Sequence, residues 1–316
     1  MTGSAGATGE IGDTDRSARG NRRDLGLAAL GAFCFGCTIL FSRIVARDQL
    51  PSGVALGIRF GVAGLLLLGL LAALHRPLLP PPGERLAAFA LGLCIYAVES
   101  TFFYMGLERG TAAAVALIFY AYPAVVALVE TVTGAIRLRA RTIVALALSV
   151  SGSAIVAIGG GKVAISAAGV LLVCGSVVMF STYALLSDRV VPNTDSLTAA
   201  AWTAIGASIG VSSFGAVTGQ LQMPSGHAFA ALLANGLATA AAFTLFFMVL
   251  GRIGPTRTGI CMALEAVTGI ALTAIFLGET VRPAVAIGGV AVLAGAVMAA
   301  LVAPAPVEAV ERSSPP

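Results

Sequence analysis

Apolar runs of about 20 residues, the length a helix needs to cross a bilayer, recur along this whole 316-residue chain. Hydrocarbon offers the backbone no hydrogen-bond partner, so a spanning segment must satisfy its own amides and carbonyls. Helices do this. A barrel would show alternating segments of about ten residues, and none are present. Charged residues make up 11% of the chain, against roughly 25% in soluble domains. Mean hydropathy is +0.95. These values exclude a soluble enzyme, a disordered protein and a nucleic-acid-binding module. The net charge of +4 is no nucleic-acid footprint, because the basic residues sit at the ends of apolar runs.

The expected fold is an all-α integral membrane protein with ten transmembrane helices, arranged as two inverted five-helix repeats. The spans fall near 25–45, 53–75, 86–106, 112–135, 142–160, 166–187, 197–219, 228–250, 256–277 and 283–303. Residues 1–23, rich in Gly, Ser, Thr, Asp and Arg, read as a disordered cytoplasmic tail. Residues 304–316 read as a second tail. The first repeat then occupies 24–160 and the second 161–303. Gly159-Gly160-Gly161-Lys162 lacks the spacing of a phosphate loop and reads as a turn between them.

Orientation follows from the basic residues. Arg16, Arg19, Arg22, Arg23, Arg76, Arg85, Arg137, Arg139, Arg141, Arg189, Arg252, Arg257 and Arg312 fall on one side. Arg43, Arg47, Arg109, Lys162 and Arg282 fall on the other. Both termini are expected in the cytoplasm, and the chain in a bacterial inner membrane. Five cysteines lie inside apolar runs, an odd number that argues against a disulfide framework. With two histidines, a histidine metal site is hard to build. No cofactor is expected.

Laid over one another with Arg109 on Arg252, the halves fall into register. Pro123 then meets Ala266, Ile136 meets Glu279 and Gly152 meets Gly295. Five helices per half is an odd number, so the second half enters the membrane upside down. That is a transporter architecture.

Five stretches now carry a resemblance: GAFCFGCTILFSR in helix one, IRFGVAGLLLL in helix two, YPAV in helix four, IFLGETV ending helix nine, and GGVAVLAGAV after it. In order and spacing they resemble the EamA-type branch of the drug/metabolite transporter superfamily. The resemblance implies alternating access around a central cavity. It also implies export of small metabolites, amino acids foremost. Two places depart from the pattern. Gly134-Ala135-Ile136 stands where Gly-Glu is expected, and Glu265-Ala266-Val267 where Glu-Pro is common. Helix one has no carboxylate, so the first-helix proton coupling of short four-helix relatives has no counterpart here.

Ionisable residues inside spans are costly and mark interiors or watery cavities. Glu265 lies about nine residues into helix nine, roughly 14 Å deep and close to the midplane. Met262, Cys261, Thr268 and Gly269 share its face by helical spacing. It can serve as ligand for a substrate amine, as a proton carrier, or as a structural carboxylate. Arg59 and Glu99 each sit roughly 9–10 Å below the outer surface. They can form an ion pair, or grip a substrate carboxylate and amine respectively. Glu130 is placed to snorkel, neutralised by Arg137 or Arg139. Tyr104, Tyr120, Tyr122 and Phe35 are candidate cavity aromatics, with Tyr120, Pro123 and Ala127 on one stripe. Trp202 reads as an interfacial anchor.

The expected function is therefore a secondary transporter. Its partners are a small-molecule substrate, a candidate coupling proton and the bilayer. The competing classes are a membrane-embedded enzyme and a non-transporting binding protein. The first is opposed by the lack of Gly-x-Ser-x-Gly, His-Glu-x-x-His or paired-Asp motifs.

Overall fold

The computed structural model describes residues 7–46, 50–159, 165–220, 222, 224, 226–278 and 282–301. The expected C-terminal tail and residues 160–164 of the inter-repeat turn lie outside them. Among the described residues the chain is helical, with one isolated bridge between Gly110 and Ile165. The helices are α1 (Ala7–Ala46), α2 (Ser52–Ala73), α3 (Arg85–Ala90), α4 (Ala97–Leu107), α5 (Ala112–Phe119), α6 (Tyr122–Val132), α7 (Ala140–Gly159), α8 (Ala167–Val190), α9 (Ser196–Val217), α10 (Gly226–Ile253), α11 (Pro255–Met262), α12 (Leu264–Leu277) and α13 (Pro283–Leu301). A π-helical stretch, Leu91–Tyr96, joins α3 to α4, so Arg85–Leu107 is one continuous rod.

Among the described residues, eight stretches are long and apolar enough to cross a membrane. The expected fifth and tenth spans carry the shorter apolar helices Ala140–Val156 and Pro283–Ala299. The beginning of the chain also differs from expectation. Helix α1 starts at Ala7, inside the expected disordered tail, and its apolar part is Arg23–Val45.

Side chains place several boundaries. Thr111, Ser166 and Asp195 cap α5, α8 and α9 by accepting from the amides of Ala114, Gly169 and Leu197. Gly254, at φ 76°, turns the chain from α10 into α11 in a single residue, a conformation that suits glycine. We name the end where the apolar part of α1 begins the N side, and the opposite end the far side.

Two pairs of corresponding helices from the two halves pack on each other antiparallel along their length. Helix α2 lies on α9, with Gly57 opposite Ser212, Gly61 opposite Ser208 and Gly64 opposite Ile205. Helix α7 lies on α13 with almost no space between backbones. A Cβ on Gly152 would stand 2.7 Å from the Gly288 carbonyl oxygen and 2.8 Å from the Val292 nitrogen. Its mate in the second half repeats the contact: a Cβ on Gly295 would stand 2.7 Å from the Ala145 oxygen and 3.0 Å from the Ser149 nitrogen. Without a hydrophobic drive between helices in lipid, such close approach supplies the packing. Gly206 and Gly210 pack on the third rod, against Phe89, Leu93 and Ala97.

On the N side the loops between α2 and α3 and between α8 and α9 are joined. Glu84 Oε1 accepts from the Asn193 amide at 3.1 Å and from Asn193 Nδ2 at 2.8 Å. Its other oxygen accepts from the Thr194 hydroxyl. Trp202 Nε1 donates to the Leu78 carbonyl at 2.8 Å. Burial works against the Glu84 carboxylate, but the bonds from Thr194 and Asn193 outweigh it and hold its pKa below the usual value.

Two outcomes are expected. Gly152→Ala places a methyl group on backbone atoms that cannot rotate away, and should lower stability by about 1–3 kcal/mol. Gly69→Ala, with open space at its Cβ, should leave the melting temperature in detergent unchanged. The Glu84 contribution should be fully present above about pH 4.3, the carboxylate's unfolded value, and fade as pH falls through the lower folded value. Melting curves of wild type and Glu84→Gln should therefore differ at neutral pH and converge in acid.

Candidate functional site

A cavity of about 440 Å³ runs from the middle of the bundle toward the far side. Helix α1 contributes Phe35, Thr38, Ser42 and Arg43, and α2 contributes Leu56 and Arg59. The third rod adds Tyr96, Glu99, Ser100, Phe103 and Tyr104. Ala116, Phe119 and Tyr120 line one wall, and Glu265, Ala266, Gly269 and Thr273 the facing one.

Both of these walls are broken helices. The fourth rod interrupts its α-helix at Tyr120–Ala121, and Pro123 then opens α6, where its missing amide is tolerated. The ninth interrupts at Ala263. Broken spanning helices that line a cavity are the usual exception to continuous helix in lipid.

Three of the four charges that line the cavity, Glu99, Arg59 and Glu265, differ in how they are satisfied. Glu99 is 4% exposed and takes two hydroxyl bonds, from Ser176 Oγ at 2.8 Å and Ser100 Oγ at 3.0 Å. Arg59 donates through Nε to Thr239 Oγ1 at 2.8 Å, and its Cζ stands 5.0 Å from the Phe60 ring centroid. Its described bond uses Nε alone, which leaves the Nη groups to the cavity. The ion pair open to Arg59 and Glu99 is therefore not formed; each has neutral partners instead. Glu265 is half-buried and, among the described residues, its carboxylate takes no hydrogen bond or ion pair. The fields of Arg59 and Glu99 both reach it, with opposite sign. The cavity thus presents a guanidinium and an unpartnered carboxylate within an aromatic and aliphatic wall. Such a pair can hold the opposite charges of a zwitterion while the wall takes its apolar body.

Six of the nine expected site residues line this cavity: Glu265, Glu99, Arg59, Tyr104, Tyr120 and Phe35. Three do not. Tyr122 is buried, and its hydroxyl donates to the Gly259 carbonyl at 3.1 Å. Met262 is buried against Gly31 of α1. Thr268 donates to the carbonyls of Ala32 and Leu264, at 3.0 and 3.1 Å. The break at Ala263 resets the helical phase, so the face read across it as continuous is split. Met262 and Cys261 turn away from Glu265 while Gly269 stays beside it. The stripe of Tyr120, Pro123 and Ala127 is split likewise at Ala121: Tyr120 faces the cavity and Pro123 packs on Gly259.

Glu130 is also not where snorkelling would put it. Its Oε2 accepts from the Thr256 amide at 3.0 Å and from the Thr256 hydroxyl, so it caps α11 of the other half. The residue that sequence reasoning missed is Tyr96. It is 5% exposed and stands 4.9 Å, ring to ring, from both Tyr183 and Phe243. No local pattern separates it from the chain's other packed aromatics.

No curated protein matches the chain. Among solved structures, one titled only "Crystal structure of protein" superposes with a TM-score of 0.76 at 16% identity, covering 88% of this chain and 96% of its own. At that identity the likeness shows the fold alone. The profile of the EamA-like transporter family matches twice, over residues 24–158 and 167–301. These two matches stand in the register that lays Arg109 on Arg252 and Gly152 on Gly295. The chain is a multi-pass membrane protein of the EamA-like transporter family, within the drug/metabolite transporter superfamily.

Proposed function

We propose that this protein is a secondary transporter that exports small organic metabolites such as amino acids, by alternating access around the mid-bundle cavity. The observation that carries the reading is Glu265. It is an unpartnered carboxylate at membrane depth, with Arg59 nearby, on a broken helix between antiparallel repeats. In this reading the halves are inverted five-helix repeats and α7 and α13 are the fifth and tenth spans. The antiparallel packing of α2 on α9 and of α7 on α13 supports the inversion. The excess of arginine on the N side puts that side, and both termini, in the cytoplasm of a bacterial inner membrane.

Glu265 takes the substrate amine or a coupling proton. Arg59 takes a substrate carboxylate through its Nη groups. Phe35, Tyr104 and Tyr120 form the wall against the substrate's apolar part, and Glu99 sets the local field. The cavity extends toward the far side, which supports reading this conformation as the outward-facing state.

The test is counterflow in proteoliposomes with a labelled panel of amino acids and related metabolites. Saturable exchange of at least one compound is expected. Glu265→Gln should reduce its rate by at least about tenfold, the loss of one charge-assisted contact. Arg59→Gln should raise KM for carboxylate-bearing substrates by a similar factor and leave decarboxylated analogues little affected. Exchange untouched by Glu265→Gln would remove Glu265 from the site. Turnover to a chemically altered product would replace transport with catalysis.

A further inference from the structure

The two broken helices occupy matching places in the two halves. On the N side they meet. The Tyr122 hydroxyl donates to the Gly259 carbonyl at 3.1 Å, and a Cβ on Gly259 would stand 3.5 Å from that of Pro123. On the far side they part, with Ala116 and Ala266 on facing walls of the cavity. The register fixed by the two family matches pairs Tyr122 with Glu265, Pro123 with Ala266 and Gly259 with Ala116. The pairing holds in the backbone at the breaks. The Ala263 amide donates to the Gly259 carbonyl at 3.3 Å, and the Tyr120 amide donates to the Ala116 carbonyl at 3.0 Å. Ala263 and Tyr120 are themselves mates in this register.

In a carrier of inverted repeats, the two end states exchange the roles of the halves. Far-side closure is then built from these mates. Ala266 comes against Ala116, and the Glu265 side chain takes the place relative to the Ala116 carbonyl that the Tyr122 hydroxyl takes now relative to Gly259. Tyrosine brings a donor to that contact. A carboxylate brings only acceptors, and two acceptors facing each other in a dry site repel. Building on the transport reading above, we propose that the far side closes only when Glu265 carries a hydrogen-bond donor toward the Ala116 carbonyl, either a proton on its own oxygen or a substrate ammonium. A proton taken from far-side water onto one Glu265 oxygen makes that O–H the donor. An ammonium bridges instead, donating to both oxygens, and glutamate, being shorter than tyrosine, leaves room for it. The empty, ionised carrier stays open outward.

Other ionisable groups face Glu265. Arg59, Glu99, Tyr96, Tyr120 and Tyr122 reach it across the cavity or through their fields, and Tyr104 shares the cavity. Of the helices packed on α12, α1 carries Cys34, Cys37 and Arg43, α11 carries Arg257 and Cys261, and α7 carries Arg141 at its N-side end. The described residues of α13 carry none.

The test uses the full chain with its five native cysteines replaced by alanine and the pair Ala116→Cys/Ala266→Cys added. If closure places them as Pro123 and Gly259 stand now, their Cβ atoms come within disulfide range, 3.5–4.5 Å as a rough bound. With Glu265→Gln, whose amide donates, cross-linking by an added thiol oxidant sets the reference rate at about pH 5.5 and at about pH 8.5, slower in acid only through the smaller thiolate fraction. With Glu265 intact it should be about tenfold slower than in the Gln variant at the higher pH and match it at the lower. Recovery in acid alone identifies a proton as the donor. Recovery at the higher pH on adding 2-phenylethylamine identifies an ammonium. The reciprocal pair Pro123→Cys/Gly259→Cys reports folding. It should cross-link with Glu265 intact at the higher pH and slow in the Gln variant.

Equal far-side rates with Glu and Gln under all conditions would overturn the proposal. So would a far-side pair that never cross-links while the reciprocal pair does. Normal vesicle exchange alongside either result would leave the transport reading standing. A donor-dependent cross-link without any exchange would do the reverse.

Discussion

Backbone atoms freed by a helix break inside a membrane must find partners within the protein, because lipid supplies none. Much of this molecule follows from how two such breaks are satisfied. Around Ala263, the Gly259 carbonyl accepts from the Tyr122 hydroxyl as well as from the Ala263 amide, the Ile260 carbonyl from Ser149 at 3.4 Å, and the Leu264 carbonyl from Thr268. Around Tyr120–Ala121, the Tyr122 carbonyl accepts from Ser181 at 3.5 Å. Several of these donors belong to the opposite half. The breaks that border the cavity are therefore also what ties the halves together on one side of it.

The same logic sorts the acidic residues. Glu84 is held by Asn193 and Thr194, Glu99 by Ser100 and Ser176, and Glu130 by the start of α11. For Glu99 and Glu130 the carboxylate satisfies donors on Ser100, Ser176 and Thr256 that are themselves buried, where lack of a partner would be costly. Glu265 alone among these four lacks such donors within the described residues, and it faces the cavity. Its environment, more than its depth, separates it from its neighbours.

Most of the architecture was legible in the residue pattern, for physical reasons. Spans announce themselves through hydropathy, and the repeat through matched Arg109 and Arg252 or Gly152 and Gly295. The family matches fall in the same register. Six of the nine candidate residues line the cavity, because a charge or aromatic at membrane depth has few other uses. Helical spacing was carried through Ala263, where the helix stops and restarts, so Met262 was assigned to a face that the break splits. Thr268 and Tyr122 are held instead by the carbonyls of Ala32 and Gly259, partners that no local spacing reveals. Glu130 was misplaced because its partner, the amide of Thr256, lies far off in the other half of the chain and carries no sequence signature. Tyr96 was passed over because one packed aromatic among many leaves no pattern to read.

The π-helical stretch Leu91–Tyr96 separates the two halves in one further respect. Its counterpart in the second half lies within α10, which is α-helical from Gly226 to Ile253. A π segment holds one residue more than the α-helix it interrupts, and each residue turns an α-helix by about 100°. Beyond Tyr96, the third rod is therefore out of phase with its counterpart. Duplication makes two like halves, and a carrier with like halves would offer its cargo a symmetric chamber. The wider turn shifts the phase of Glu99 and Tyr104, which line the chamber, while the two halves keep equal residue counts and α7 keeps its contacts with α13. The scaffold keeps its ancestry, and the lining acquires a handedness of its own.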